Sequence, residues 1–443
     1  PSPTASPTPA AIALYSAPQG QPGIALTTAG STLLAITGNA SNNAASATVT
    51  VGAAGAAVRQ VTRLPGTAGG FALPPYTPAT GRRVLQLANP PQVGSTAQFW
   101  VNDGGFVDAG DHRQTATLQR VSPHAYFYVD NASPLASSDL TALADTFDNT
   151  IYPKVTGAFG AEHEPGVDGA DRIYVVVSPV IGQSNDVLAY FWARDAVPRG
   201  QGDAHSNHKA VLLVSSKVFG HAQVLEYGTI AHEFQHLINF SRKGPLLDYQ
   251  SKEDRWLDEG MAMFAMDVAG YGLSQGEQIT ATGIRDFETN PSAYSLTDWE
   301  NNPDQKAFGE TYLFVRYLVD RDGLGVLPAL IDSKLTGVAN VDAVLHAHGD
   351  DFADFFRAWC VANAISGTPL AAGTPYQYQT VDLHGLYGPI QLPGFTMTSA
   401  SGPVSVSLRP WGAAYYRFTA GVPQSWQLSA TGNAPLVGAA IAP

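Results

Sequence analysis

The spacing of apolar and polar positions changes character several times along the chain. From residue 11 to about 90, short runs such as "STLLAITGN" and "SATVTVGAA" sit between turn residues and predict strands. "RRVLQLA", "AQFWVND" and "HAYFYVD" continue the β pattern. The period then lengthens. In "SSDLTALADTFDNTIYPKV", Leu140, Leu143, Ala144, Phe147 and Ile151 form one helical stripe, with Ser137 or Ser138 as its cap and Pro153 as its stop. "DRIYVVVSPVI" is an unbroken apolar run, read as a buried strand. A long loop follows from about Gln183 to His208, then the strand "KAVLLVSS". Helical periodicity dominates from Leu225 to about Ile365, and β alternation returns from about 370 in "VSVSLRP", "AAYYRFTA" and "SWQLSAT".

This order predicts an α+β multi-domain protein. Its expected parts are a Pro/Ser/Thr linker at 1–10, a β-rich N-terminal domain at 11–94, an α/β domain turning helical at 95–368, and a small C-terminal β domain at 369–443. Composition agrees: 44 Gly and 31 Pro among 443 residues demand many turns. The balance of 24 Lys+Arg against 37 Asp+Glu gives −13, with no long basic run. Nucleic acid and anionic membrane surfaces need clustered positive charge and are disfavoured as partners. No stretch of 18 or more apolar residues exists, so no membrane span is expected. The single cysteine, Cys360, sits in the apolar run "FFRAWCVANAI" and reads as a buried, inert thiol. The start "PSPTASPTPA" lacks Met and resembles a mature end from which a signal peptide has gone.

The chemistry concentrates in "YGTIAHEFQHLINF". Tyr227, Ile230, Ala231, Phe234 and Ile238 form the apolar stripe of an amphipathic helix. His232 and His236 lie one turn apart on another face, where both imidazoles can reach one zinc ion. Glu233 stands beside them, placed to take a proton from a zinc-bound water. A solvated helix face is the plain alternative, but a chance match to this pattern is on the order of one per cent by composition.

Two histidines need a third protein ligand. In "DRWLDEGMAMFAMDVAG", Glu259 shares a helical face with Ala262, Met263 and Met266, and Gly270 reads as the helix stop. A carboxylate among methionines needs a partner on burial, and a divalent cation supplies one. The alternative makes Asp258 and Glu259 ordinary first-turn acids facing water. The nearby histidine pair favours the metal.

His232-Glu233-x-x-His236 followed by Trp256-Leu257-Asp258-Glu259-Gly260 resembles the gluzincin metallopeptidases. "AHEFQHLINF", "WLDEGMA", "DNTIYPKVTGAFG", "PGVDGADRI" and "YLFVRYL" are similar to the hyicolysin family of secreted bacterial zinc proteases, over roughly residues 95–365. The resemblance implies a thermolysin-like catalytic domain at 95–368, His232, His236 and Glu259 as zinc ligands, Glu233 as general base, and a protein or peptide substrate. It also implies a secreted bacterial protein, free or surface-associated. The chain departs from the pattern in three places. Twenty-two residues separate His236 from Glu259, more than in aminopeptidase N-like or thermolysin-like enzymes. Met263 stands where thermolysin-like enzymes carry an Asp that orients a ligand His. Phe308 stands where the aminopeptidase branch has a Tyr donor to the oxyanion. Tyr294, Tyr312, Tyr317, His205 and His208 are candidates for that donor, and none is assigned.

The strand "HKAVLLVSS" is expected to be the sheet edge that pairs with an extended substrate, which suits an endopeptidase better than an aminopeptidase. The turn Asp168-Gly-Ala-Asp171 offers oxygen ligands for calcium or is a plain turn. The rival from another class is a protease-like cell-surface binding protein with weak or no catalysis, a reading that Phe308 would fit.

Overall fold

The computed structural model describes residues 11–53, 89–202, 204–303 and 307–443. The expected linker at 1–10 and the run "RRVLQLA" lie outside the described residues.

In chain order, β1 (Ala11–Ala17), β2 (Gly23–Asn39) and β3 (Ala45–Ala53) come first. They are followed by β4 (Thr96–Asn102), β5 (Asp111–Val121), β6 (Ala125–Asp130), α1 (Ser137–Thr146) and α2 (Tyr152–Phe159). Next are β7 (Ile173–Ser178), β8 (Ala189–Tyr190), β9 (Val211–Ser215), α3 (Gln223–Leu246) and α4 (Arg255–Ala269). The helical stretch continues with α5 (Gln278–Thr289), α6 (Phe308–Asp322), α7 (Val326–Ile331), α8 (Gly337–Ala347) and α9 (Phe352–Ile365). The chain closes with β10 (Leu386–Tyr387), β11 (Ile390–Gln391), β12 (Thr398–Ala400), β13 (Val404–Leu408), β14 (Ala413–Gly432) and β15 (Leu436–Ala442).

The described chain divides into two units. One combines the described residues within 1–71, 279–322 and 341–443. Its seven-stranded sheet runs β1-β15-β2-β14-β3-β13, with β12 beside β14. The ends of the chain therefore share one sheet instead of forming the separate β domains expected at 11–94 and 369–443. Alternation within a strand reports which face is buried, as in β3 where Ala45, Ala47 and Val49 point inward, but it does not say which strand lies alongside. Gly438 is required at its place in β15, because a Cβ there would meet the Ile36 carbonyl and the Tyr15 ring. Cys360 is buried in this unit, as expected, and burial pushes its thiol far above the usual range.

The second unit takes the described residues within 72–278 and 323–340. Its six-stranded sheet runs β4-β5-β6-β7-β9-β8. β6, β7 and β9 are parallel and buried at every position, which explains why "IYVVVS" and "VLLVS" show no polar alternation. β9 is internal, so the edge expected at "HKAVLLVSS" belongs instead to the two-residue β8, antiparallel to β9. The sheet curls until β4 approaches β8, and the backbone N–H of Asn102 donates to the Tyr190 hydroxyl at 2.6 Å. The side chain of Asn207 pairs with both the N–H and the C=O of Trp100, so β4 is capped.

Pro153 does not stop the first helix. After α1 the chain widens into a π-helical turn at Phe147–Ile151 and resumes as α2, with Pro153 in its first turn, where a missing N–H is harmless. The residue before α1 is Ala136, and no side chain caps the helix.

Candidate metal centre

α3 is fixed by its apolar stripe. Tyr227, Ile230, Ala231, Phe234 and Ile238 are all buried, and Phe234 packs against Phe147 and Tyr152. Ile230, Phe234 and Ile238 each contribute roughly 1.5–3 kcal/mol on burial. The stripe turns His232 and His236 toward α4. There Met261 to Met266 are buried and Gly270, at φ 90°, ends the helix in the left-handed conformation, as expected.

This packing brings Glu259 to both histidines. His232 Nε2 and His236 Nε2 are 3.1 Å apart, and Glu259 Oε2 lies 3.4 Å and 3.5 Å from them. Zinc bonds of about 2.0–2.1 Å at tetrahedral angles place neighbouring ligand atoms about 3.3 Å apart. The three donor atoms thus form the base of a tetrahedron of the right size, with side chains only 12–13% exposed. Burial disfavours ionised Glu259, but the two imidazoles more than offset this and hold its carboxyl well below the usual range.

Asp258 supplies what Met263 cannot. Its Oδ2 is 3.0 Å from His236 Nδ1, a charge pairing rather than a straight hydrogen bond, and its Oδ1 accepts from Asn239 Nδ2 at 2.5 Å. Two adjacent residues of α4 therefore address the two nitrogens of one imidazole. Such partners set ring orientation and ligand basicity at metal sites. Sequence reasoning placed Asp258 among first-turn acids. The missed signal is Asn239, one helical turn past His236 and on its side of α3.

Glu233 faces β8. The Phe191 N–H, one residue beyond that strand, donates to Glu233 Oε2 at 2.8 Å. Burial pushes the Glu233 carboxyl above its ordinary range, opposed by the charges of His232 and His236.

A buried pair ties together the ends of the two site helices. Lys243 near the end of α3 and Glu253 just before α4 are each 1% exposed and 2.9 Å apart. Lys243 also donates to the carbonyls of Leu330, Ser333 and Leu335, while Glu253 accepts from the Gly337 and Asp254 amides and from Asn340.

The other candidates have the following surroundings. His205 Nδ1 lies 2.8 Å from Asp111 Oδ2, and the His205 ring lies tilted against Trp100 with centroids 4.2 Å apart. Asp108, Asp111 and His205 also cluster within metal-ligand distances, but the Arg194 guanidinium already occupies both oxygens of Asp111. His208 Nδ1 is 3.0 Å from the Val197 carbonyl. Tyr294, Phe308, Tyr312 and Tyr317 belong to the first unit, where Tyr317 donates to the Pro375 carbonyl and Phe308 packs on Trp299. The calcium expectation has no support: Asp168 accepts from Lys209 and Tyr174, and Asp171 pairs with Arg172.

No protein-family model matches the chain. Over 225 aligned residues it is 25% identical to the neutral metalloprotease ShpI of Staphylococcus hyicus, covering 47% of this chain and 48% of that protein. The relationship is to a metalloprotease. The chain spans about half the length of this curated relative. No helix among the described residues is long and apolar enough to cross a membrane.

Proposed function

We propose that the protein is a secreted zinc metalloendopeptidase of the gluzincin type, with His232, His236 and Glu259 as zinc ligands and Glu233 as general base. The carrying observation is the donor triangle of 3.1, 3.4 and 3.5 Å with the base candidate next to it in sequence. The similarity to a neutral metalloprotease supports the same reading.

His232, His236 and Glu259 would hold the zinc, and a zinc ion there would supply a Lewis acid for the scissile carbonyl and a more acidic water. The chain's own residues do the rest. The Phe191 amide fixes Glu233 Oε2, which leaves the second carboxylate oxygen to take a proton from the attacking water and deliver it to the leaving amine. Asp258 and Asn239 hold the His236 ring in place. β8 forms the sheet edge beside Glu233, and an extended peptide paired there presents backbone on both sides of the cut. That suits an endopeptidase. The low-charge composition and single buried cysteine fit export from a bacterium.

Zinc content and casein cleavage, measured side by side on wild type and Glu233→Gln, test the proposal. Wild type is expected to bind about one zinc and cleave. The variant is expected to keep the zinc and lose at least 100-fold in kcat. A wild type that holds zinc and cleaves nothing sinks the protease reading and favours the surface-binding rival; one that binds no metal removes its foundation.

A further inference from the structure

Phe106 is the exposed phenylalanine among the described residues, at 44%, and it lies beside the sheet edge next to Glu233. Its ring packs edge-on against Tyr190 at 5.3 Å and Trp192 at 5.4 Å. Its φ of 53° is left-handed, a conformation that Gly or Asn adopts with less strain than an aromatic residue. The surroundings impose that conformation. The buried Asn102 accepts from the N–H groups of Gly104 and Phe106 through Oδ1, and donates through Nδ2 to the Val107 carbonyl and to Asp111. The loop is also clamped to the segment before β8: Ser184 N–H donates to the Asp103 carbonyl, and Asn185 Nδ2 donates to that of Gly104. The exposed ring is thus held in a fixed place at the cost of local strain.

Side chains along an extended segment alternate between faces. The Phe191 ring is 6.0 Å from Phe240 of α3, so it occupies the α3 face. Tyr190 and Trp192 occupy the opposite face, together with Phe106. A peptide paired along β8 alternates in the same way, and every second side chain then passes the Phe106–Trp192 surface. We infer that Phe106 is a specificity-determining residue: with Trp192 it forms an apolar contact for one substrate side chain on the face of β8 away from α3. The inference rests on the peptidase reading above.

Phe106→Asn tests it, because Asn suits the left-handed backbone and removes the apolar surface. The variant is expected to match wild type in zinc content and to lie within about 2 °C in melting temperature. Cleavage sites in a peptide library, read by mass spectrometry, are expected to lose a preference for apolar residues at one subsite. For a peptide with Leu there, kcat/KM is expected to fall about fivefold to tenfold, chiefly through KM, with little change for Ser at that position. Phe106→Tyr is expected to keep the wild-type profile. An Asn variant whose cleavage profile superimposes on wild type overturns the inference while leaving the peptidase reading intact. A wild type that cleaves no peptide overturns both.

Discussion

Replacing Lys243 by Met removes the positive charge of the buried pair that joins the ends of α3 and α4. Met keeps most of the side-chain length, so the effect is electrostatic more than steric. Four contacts disappear at once: the ion pair to Glu253 and the bonds to the carbonyls of Leu330, Ser333 and Leu335. Glu253, 1% exposed, keeps its three N–H donors but loses its counter-charge. Breaking a buried pair from one side costs about 3–5 kcal/mol, against a total stability of roughly 5–15 kcal/mol. For a unit of about 200 residues this lowers the melting temperature by roughly 6–20 °C. The pH dependence gives a sharper check. Burial already pushes the Glu253 carboxyl up, and Lys243 is the main opposing influence. Without Lys243 the folded-state pKa rises further. A carboxyl whose folded pKa lies above its unfolded one contributes stability at low pH that is lost as pH rises through the folded pKa. The deficit of Lys243→Met relative to wild type should therefore be largest near pH 8 and shrink toward pH 5. Calorimetry of wild type, Lys243→Met, Glu253→Gln and the double variant measures both quantities. The double variant should fall well short of the sum of the singles. A Lys243→Met protein that melts within about 2 °C of wild type at pH 8, or whose deficit grows on acidification, refutes the reasoning.

Two further predictions concern the ligand shell and the other unit. Asp258→Asn is expected to weaken zinc binding about 10- to 100-fold in chelator competition, with the melting temperature of the zinc-free protein changed little; unchanged zinc affinity would show that Asp258 does not orient His236. In the first unit, burial raises the Glu288 carboxyl from 4.5 to about 8, opposed by the Gly394 amide and Arg285. Its contribution to stability is complete below about pH 4.5 and lost as pH rises through about 8, a change of up to about 5 kcal/mol. Glu288→Gln should flatten that slope, and a thermal-denaturation series in which the variant parallels wild type from pH 5 to 8 would rule it out.

The sequence by itself determined the parts of this protein that depend on short-range geometry. A stripe at helical spacing fixes which face of α3 is buried, and a spacing of four residues then sets His232 and His236 side by side whatever the rest of the chain does. An unbroken apolar run likewise marked β7 as a buried strand. Glu259 stood out only beside the histidine pair one short loop earlier, because a carboxylate among methionines needs a partner on burial. What the tertiary structure decided involves partners distant in sequence or too brief to carry a pattern. β8 has two residues, too few to show a period, yet it displaces β9 from the sheet edge and brings the Phe191 amide to Glu233. Asp258 looks like any first-turn acid until α4 packs on α3 and sets it against His236. The pairing of Lys243 with Glu253 has no signal in the sequence, because nothing local records the carbonyls and amides that surround them. The joining of both chain ends in one sheet was invisible for the same reason: inward and outward alternation specifies a face, and only hydrogen-bond register between remote strands specifies a neighbour.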